Sequence, residues 1–165
     1  MSISVIEQAR IQAQVLVPLV KKLQAELGEA RANAIVRGAL RDLYRGYGEA
    51  FWRTRKEQTK PQKNEPDVGK AVASAFATYA RDDALDYTVI GQSEDAFAFD
   101  VTRCRYAEFY KELGEPALGF LLVCSADFDT VEGFGGDIEL TRTQTIMQGA
   151  SHCDFRYRRV KGGVD

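Results

Sequence analysis

The hydrophobic period of this chain changes at Asp83, and that change constrains the fold more than any other feature. Ahead of it, Ile6, Ala9, Ala13, Leu16, Val20, Leu23 and Leu27 recur at helical spacing, with Lys21, Lys22 and Glu26 on other faces. Gly28 offers a left-handed stop, whereas Pro18 lacks a backbone donor and predicts a kink or split. A second periodic run holds Ala34, Ile35, Leu40, Leu43, Tyr44, Tyr47, Phe51 and Trp52. Its glycines, Gly38, Gly46 and Gly48, each cost about 1 kcal/mol against alanine in a helix interior, so close packing is the expected reason for them. The stretch from Arg53 to Pro66 is charged and has no apolar side chain except Pro61 and Pro66, which predicts a connector. Asp67 is placed to cap a third helix through Ala71, Ala75, Phe76 and Tyr79.

Beyond Asp83 the period falls to two. Tyr87, Val89 and Ile90 lead into a polar turn, and Phe97, Phe99 and Val101 then alternate with Ala96, Ala98 and Asp100, a hairpin signal. Helical spacing returns from Tyr106 to Leu113 and stops at Gly114, and Pro116 opens a further helix through Leu118, Phe120, Leu121, Val123 and Phe128. Ile138 to Ile146 and Cys153 to Val160 read as two strands joined by a turn from Met147 to Ser151. The class is α+β: N-terminal helices followed by a four-stranded antiparallel sheet (β-β-α-α-β-β) with helices packed on it. One domain over 1–165 is expected, made of a helical hairpin (1–55), a charged connector (56–66) and an α+β catalytic or ligand-binding part (67–165).

Composition narrows the partners. With 22 basic against 24 acidic residues in 165, the formal charge is −2, and no concentrated positive field for nucleic acid is expected. No apolar run approaches the roughly 20 residues that span a bilayer; the best candidate, Val15 to Val20, is short and contains Pro18. The amino terminus has no basic region followed by an apolar one, and none of the three cysteines stands in a CxxC spacing. A cytoplasmic protein without a signal peptide is the expectation. The N-terminal helices, with Trp52, are where a homo-oligomer would form.

Two segments depart from core-and-surface patterning. One is Thr102-Arg103-Cys104-Arg105-Tyr106, where a strand passes into a helix. The other is the last hairpin, LTRTQTIMQGASHCDFRYR, where hydroxyl, amide, thiol, imidazole and carboxylate groups are concentrated. Buried polar groups cost free energy unless paired, so a polar pocket is expected there.

That hairpin run, with TRCRYAEFYKELGEPALGFLL upstream and the VLVPLV-containing first helix, resembles the L-2-amino-thiazoline-4-carboxylic acid hydrolase family from about Ile6 to Arg158. The resemblance implies a soluble bacterial hydrolase that opens a small nitrogen- and sulfur-containing ring. In the named reaction water adds at the amidine carbon and the C–S bond breaks, leaving N-carbamoyl-L-cysteine.

Such chemistry needs a nucleophile or a general base, a proton donor and a carboxylate anchor. Cys104, at a strand-to-helix junction, and Cys153, at the head of the last strand, are the expected nucleophiles, and Cys124 in LLVCSADF is a packing thiol. His152, the one histidine, and Asp154 are the expected bases. Asp127, Asp129 and Glu132 are carboxylates that a solvated helix end explains equally well. Arg142 and Arg105 match a substrate carboxylate bidentately, and Thr143, Gln144, Thr145 and Gln148 can orient the ring or a water. Consecutive His-Cys-Asp on one strand cannot converge on a metal without a kink, and no phosphate-cradling loop is present, so neither metal nor cofactor is expected. The same order of elements also resembles small-ligand-binding domains of the 4-vinyl reductase type, in which the hairpin would bind without turnover.

Overall fold

The computed structural model describes residues 3–59 and 65–160. Two long antiparallel helices lead: α1 (Val5–Leu27), capped by the Ser4 hydroxyl, and α2 (Glu29–Glu57), with Gly28 between them at φ 81°. α1 is continuous through Pro18, where the sequence predicted a kink or split, so the helix is not split there. α2 is helical through Arg53–Glu57, where charge predicted the connector to begin. Tertiary contacts explain the extension. Trp52 packs on Phe134 and donates its indole N–H to Asp137 (2.7 Å), and Lys56 pairs with the same carboxylate (2.5 Å).

α3 (Val68–Tyr79) starts as expected, with the Asp67 carboxylate accepting from the Lys70 N–H. β1 (Leu85–Gln92) and β2 (Ala96–Cys104) form the first hairpin, and α4 (Arg105–Glu112) follows β2 without a loop. The single helix expected after Pro116 is three pieces: α5 (Pro116–Gly119), a π-helical turn (Phe120–Cys124) and α6 (Ala126–Glu132). In the wide turn the Ser125 N–H bonds to the Phe120 carbonyl, and the Ser125 hydroxyl donates to that of Leu121 (2.6 Å). β3 (Ile138–Thr141) and β4 (Cys153–Arg159) complete an antiparallel sheet of order β1-β2-β4-β3. β3 ends five residues before the expected Ile146, because Asp154 captures the N–H groups of Thr143 and Gln144 that a longer ladder would have used.

One face of the sheet is core. Phe97, Phe99 and Val101 of β2 stand beside Cys153, Phe155 and Tyr157 of β4, with Phe99 and Phe155 stacked at 4.9 Å. The other face is polar and crossed by ion pairs such as Arg156 with Asp100 (2.7 Å) and Arg158 with Glu139 (2.8 Å). The two larger apolar clusters differ in their elements: one joins α3, α6, Trp52 and the sheet, the other joins α1, α4, the π turn and Met147. α2 and α6 cross with backbones in contact, since a Cβ on Gly48 would lie 2.0 Å from the Thr130 carbonyl and one on Gly133 would lie 2.2 Å from that of Arg45. Gly38 and Gly46 face open space, so close packing accounts for Gly48 alone.

Candidate functional site

Between the two clusters lies a cavity of about 750 Å³. Its walls come from the inner faces of α1, α2 and α3, from α4, from the π turn with α6, and from the sheet at Tyr157. The α6 wall follows helical spacing: Val123, Ala126, Asp127, Thr130, Val131 and Phe134 share one face. The π turn ahead of it brings Leu122 onto the same wall. The mouth is flanked by Ile11, Val15, Leu43, Tyr47 and Tyr79, all exposed.

Among the described residues, Asp127 is the only acidic one in the lining and Arg81 the only basic one. One oxygen of Asp127, Oδ2, accepts from Nη1 of Arg142; Oδ1 has no partner among the described residues. Burial pushes the Asp127 carboxyl up to about 6, against the opposing pull of Arg142. About a third (34%) of its side chain stays accessible, and the residue is part of the chamber lining. Arg142 is itself sealed, with 3% of its side chain accessible. Its second amine donates to the Cys124 carbonyl (3.0 Å), and the guanidinium lies over the rings of Phe128 and Phe155.

Six of the seven tyrosines line the cavity. Tyr106 donates to the Tyr79 carbonyl (3.2 Å), whereas the hydroxyls of Tyr44, Tyr47, Tyr79, Tyr110 and Tyr157 have no hydrogen-bond partner among the described residues. Tyr110 and Tyr157 are 2% and 8% exposed, yet no side-chain oxygen among the described residues is both sealed and unpartnered. Their hydroxyls therefore reach open space, and the chamber is the space they line. Burial pushes the Tyr106 and Tyr110 phenols up to about 12 and Tyr157 well above its ordinary value, so all three are donors at neutral pH.

The residues singled out in the sequence lie outside this lining. None of Cys104, Cys153, His152, Asp154, Arg142, Arg105, Thr143, Gln144, Thr145 or Gln148 lines the chamber. Cys104 caps α4, its Sγ accepting from the Ala107 N–H (3.4 Å), and burial pushes its thiol up to about 11. Cys153 accepts from the Ile146 N–H (3.2 Å) and is likewise pushed up by burial. Cys124 packs against the second cluster, and burial raises its thiol furthest of the three.

The hairpin groups satisfy one another. Asp154 accepts from the Thr143 N–H (2.9 Å), the Thr143 hydroxyl (2.6 Å) and the Gln144 N–H (2.9 Å). Burial raises this carboxyl, but the three hydrogen bonds outweigh it and hold the pKa below the usual range. His152 sits with Nδ1 3.0 Å from the Ser151 hydroxyl and its ring nitrogens 3.0–3.1 Å from the Gln144 amide nitrogen. Thr145 and Gln148 close the 3-10 turn (Ile146–Gln148), the Thr145 hydroxyl donating to the Gln148 side chain (3.0 Å). Arg105 reaches the Asp82 carbonyl (3.3 Å). A sequence signal for Asp127 did exist: it is the one charged member of a helical face running from Val123 to Phe134.

These features belong to an α+β domain with a cavity between its helices and its sheet. The family of L-2-amino-thiazoline-4-carboxylic acid hydrolases matches residues 8–157, and the chain belongs to that family. No curated protein matches the sequence. Among solved structures, the phenol-responsive sensory domain of the transcription activator PoxR with phenol superposes with a TM-score of 0.52 at 13% identity. That likeness covers 96% of this chain and 76% of the other. An H-NOX protein from K. algicida, a mutant in the Fe(II) unliganded state, has a TM-score of 0.39 at 13% identity, covering 92% and 75%.

Proposed function

We propose that this protein is a hydrolase that opens a small cyclic amidine or amide, and that the reaction takes place in the tyrosine-lined chamber with Asp127 as general base. The observation that carries this reading is that, among the described residues, Asp127 is the one carboxylate in the cavity lining and its Oδ1 has no partner, while Arg142 holds Oδ2. Asp127 takes a proton from a water whose oxygen bonds to the ring C=N carbon, and the π pair moves to the ring nitrogen. A tyrosine hydroxyl donates a hydrogen bond to that nitrogen as charge develops there. The nitrogen pair then returns to re-form the bond to carbon as the ring C–S bond breaks; sulfur leaves with the C–S pair and takes the proton back from Asp127. A base working near neutrality needs a pKa close to the operating pH, which burial supplies to this carboxyl.

The test is turnover of a panel of 2-aminothiazolines, cyclic amidines and lactams, followed by thiol or carbamoyl release. Asp127→Asn is expected to lower kcat by about 10²–10⁴-fold with the fold retained. Loss of turnover in Cys104→Ala or Cys153→Ala, with Asp127→Asn active, would return the chemistry to the thiols. A second reading, binding without turnover, is favoured by the largely apolar lining and by the likeness in fold to a phenol-responsive sensory domain. Saturable binding with no product from any of these rings would select it.

A further inference from the structure

We infer that the ligand of this chamber is a neutral or cationic nitrogen heterocycle carried on an apolar body of aromatic size, and not a small amino-acid-like carboxylate. This ligand class deepens the reading above, rests on its placement of the site, and concerns which molecule enters.

The chamber is large for a lone ring. Pockets of about 300–1,000 Å³ enclose drug-sized ligands, and at about 750 Å³ this one lies in the upper part of that range. A single five-membered ring would leave most of the space to water held against leucine, valine and tyrosine side chains, and apolar surface gains by being covered. The exposed apolar rim of Ile11, Val15, Leu43 and Tyr47 extends the same preference to the mouth.

Charge separates a heterocycle from a carboxylate. The fixed anion in the lining among the described residues is Asp127, and its unpartnered Oδ1 can accept an N–H of an amidine or amidinium. An incoming carboxylate finds no interior cation among the described residues. The Arg142 fork is committed to Asp127 and to the Cys124 carbonyl. Arg81 is exposed, and its Nε donates to the Thr78 carbonyl (3.1 Å). An anion drawn past it would face Asp127 in a region of low dielectric, where like charges repel more strongly than in water. The unpartnered hydroxyls of Tyr110 and Tyr157 supply neutral hydrogen-bonding partners for heteroatoms on such a ligand.

A matched pair tests this: 4-benzyl-2-amino-2-thiazoline against 2-amino-2-thiazoline-4-carboxylate, titrated calorimetrically into the full chain. Both are measured on wild type, Asp127→Asn and Tyr157→Phe, with product release followed separately. The benzyl compound is expected to bind at least tenfold more tightly than the carboxylate. In Asp127→Asn that ratio should fall by about tenfold, chiefly because the carboxylate gains. Tyr157→Phe, which keeps the ring and its packing, is expected to weaken the benzyl compound several-fold and serves if the Asp127 variant does not fold. Equal or tighter binding of the carboxylate overturns the inference, as does a ratio unchanged in both variants. Preferential binding of the benzyl compound with no product upholds it while the hydrolase reading fails. Turnover of the carboxylate with weak binding of the benzyl compound does the reverse.

Discussion

Arg142 and Asp127 form the ion pair that joins the last hairpin to the chamber. The guanidinium comes from the polar segment after β3, the carboxylate from the chamber wall on α6, and the arginine is buried while the acid opens inward. The polar groups of the hairpin, which do not line the chamber, hydrogen-bond to one another. In the lining, one carboxylate oxygen and several phenols are without a partner among the described residues.

Turnover should depend on pH through Asp127. Its pKa lies near 6, raised by burial, and a general base must be ionised. kcat/KM is expected to fall about tenfold per pH unit below that value and to be flat above it to about pH 8. Stability has the opposite sign. A carboxyl raised from 3.8 in the unfolded chain to about 6 in the fold contributes stability below 3.8 that is lost as pH rises through 6. Wild type should therefore lose stability relative to Asp127→Asn across that window, a difference read from melting curves at pH 4 and 7.

Arg142 is predicted to be a positioning residue. It lowers the Asp127 pKa against the effect of burial, so Arg142→Gln should move the acid limb of the rate profile to higher pH. Breaking a fully buried pair costs about 3–5 kcal/mol and this one less, since its acid is about a third accessible, so the variant is best measured at reduced temperature. Arg142→Lys, which keeps the charge, should return the limb towards pH 6. A limb that stays in place in Arg142→Gln would mean that another group is titrating.

The glycines of α2 give a stability test of the helix crossing. Gly48→Ala drives a methyl into the Thr130 carbonyl and must spread α2 from α6, so a loss of more than about 2 kcal/mol is expected. Gly38→Ala and Gly46→Ala meet nothing and should each gain up to about 1 kcal/mol. Denaturant unfolding distinguishes them. Equal effects at all three positions would refute the close crossing.

Asp154 is expected to act on stability. Replacing it by Ala leaves two backbone N–H groups and a threonine hydroxyl without their acceptor, a cost of about 2–3 kcal/mol near neutrality. Its folded pKa lies below the unfolded 3.8, so its contribution is present above that pH and lost as pH falls through the folded value. The gap in unfolding free energy between wild type and Asp154→Ala should accordingly shrink below about pH 4. Turnover per folded molecule should change less than in Asp127→Asn.

Much of the architecture was legible residue by residue. Asp67, Gly28 and Gly114 mark helix ends because capping and left-handed backbone are local physics, and Phe97, Phe99 and Val101 alternate because a half-buried strand must. Local preference failed as a guide where a distant contact overruled it. Trp52 and Lys56, both held by Asp137, carry α2 into its charged end, and the Asp154 carboxylate ends β3 early.

The polar hairpin drew attention as a site because composition counts donors and acceptors without saying whether they face one another. Only the three-dimensional arrangement decides that Asp154, Thr143 and Gln144 satisfy each other while Asp127, flanked by apolar residues on α6, keeps an oxygen free. Local sequence determines helices, strands and their ends through the backbone. A chamber is the space left between surfaces remote in sequence, here lined by tyrosines from α2, α3, α4 and β4, and so belongs to the packing alone.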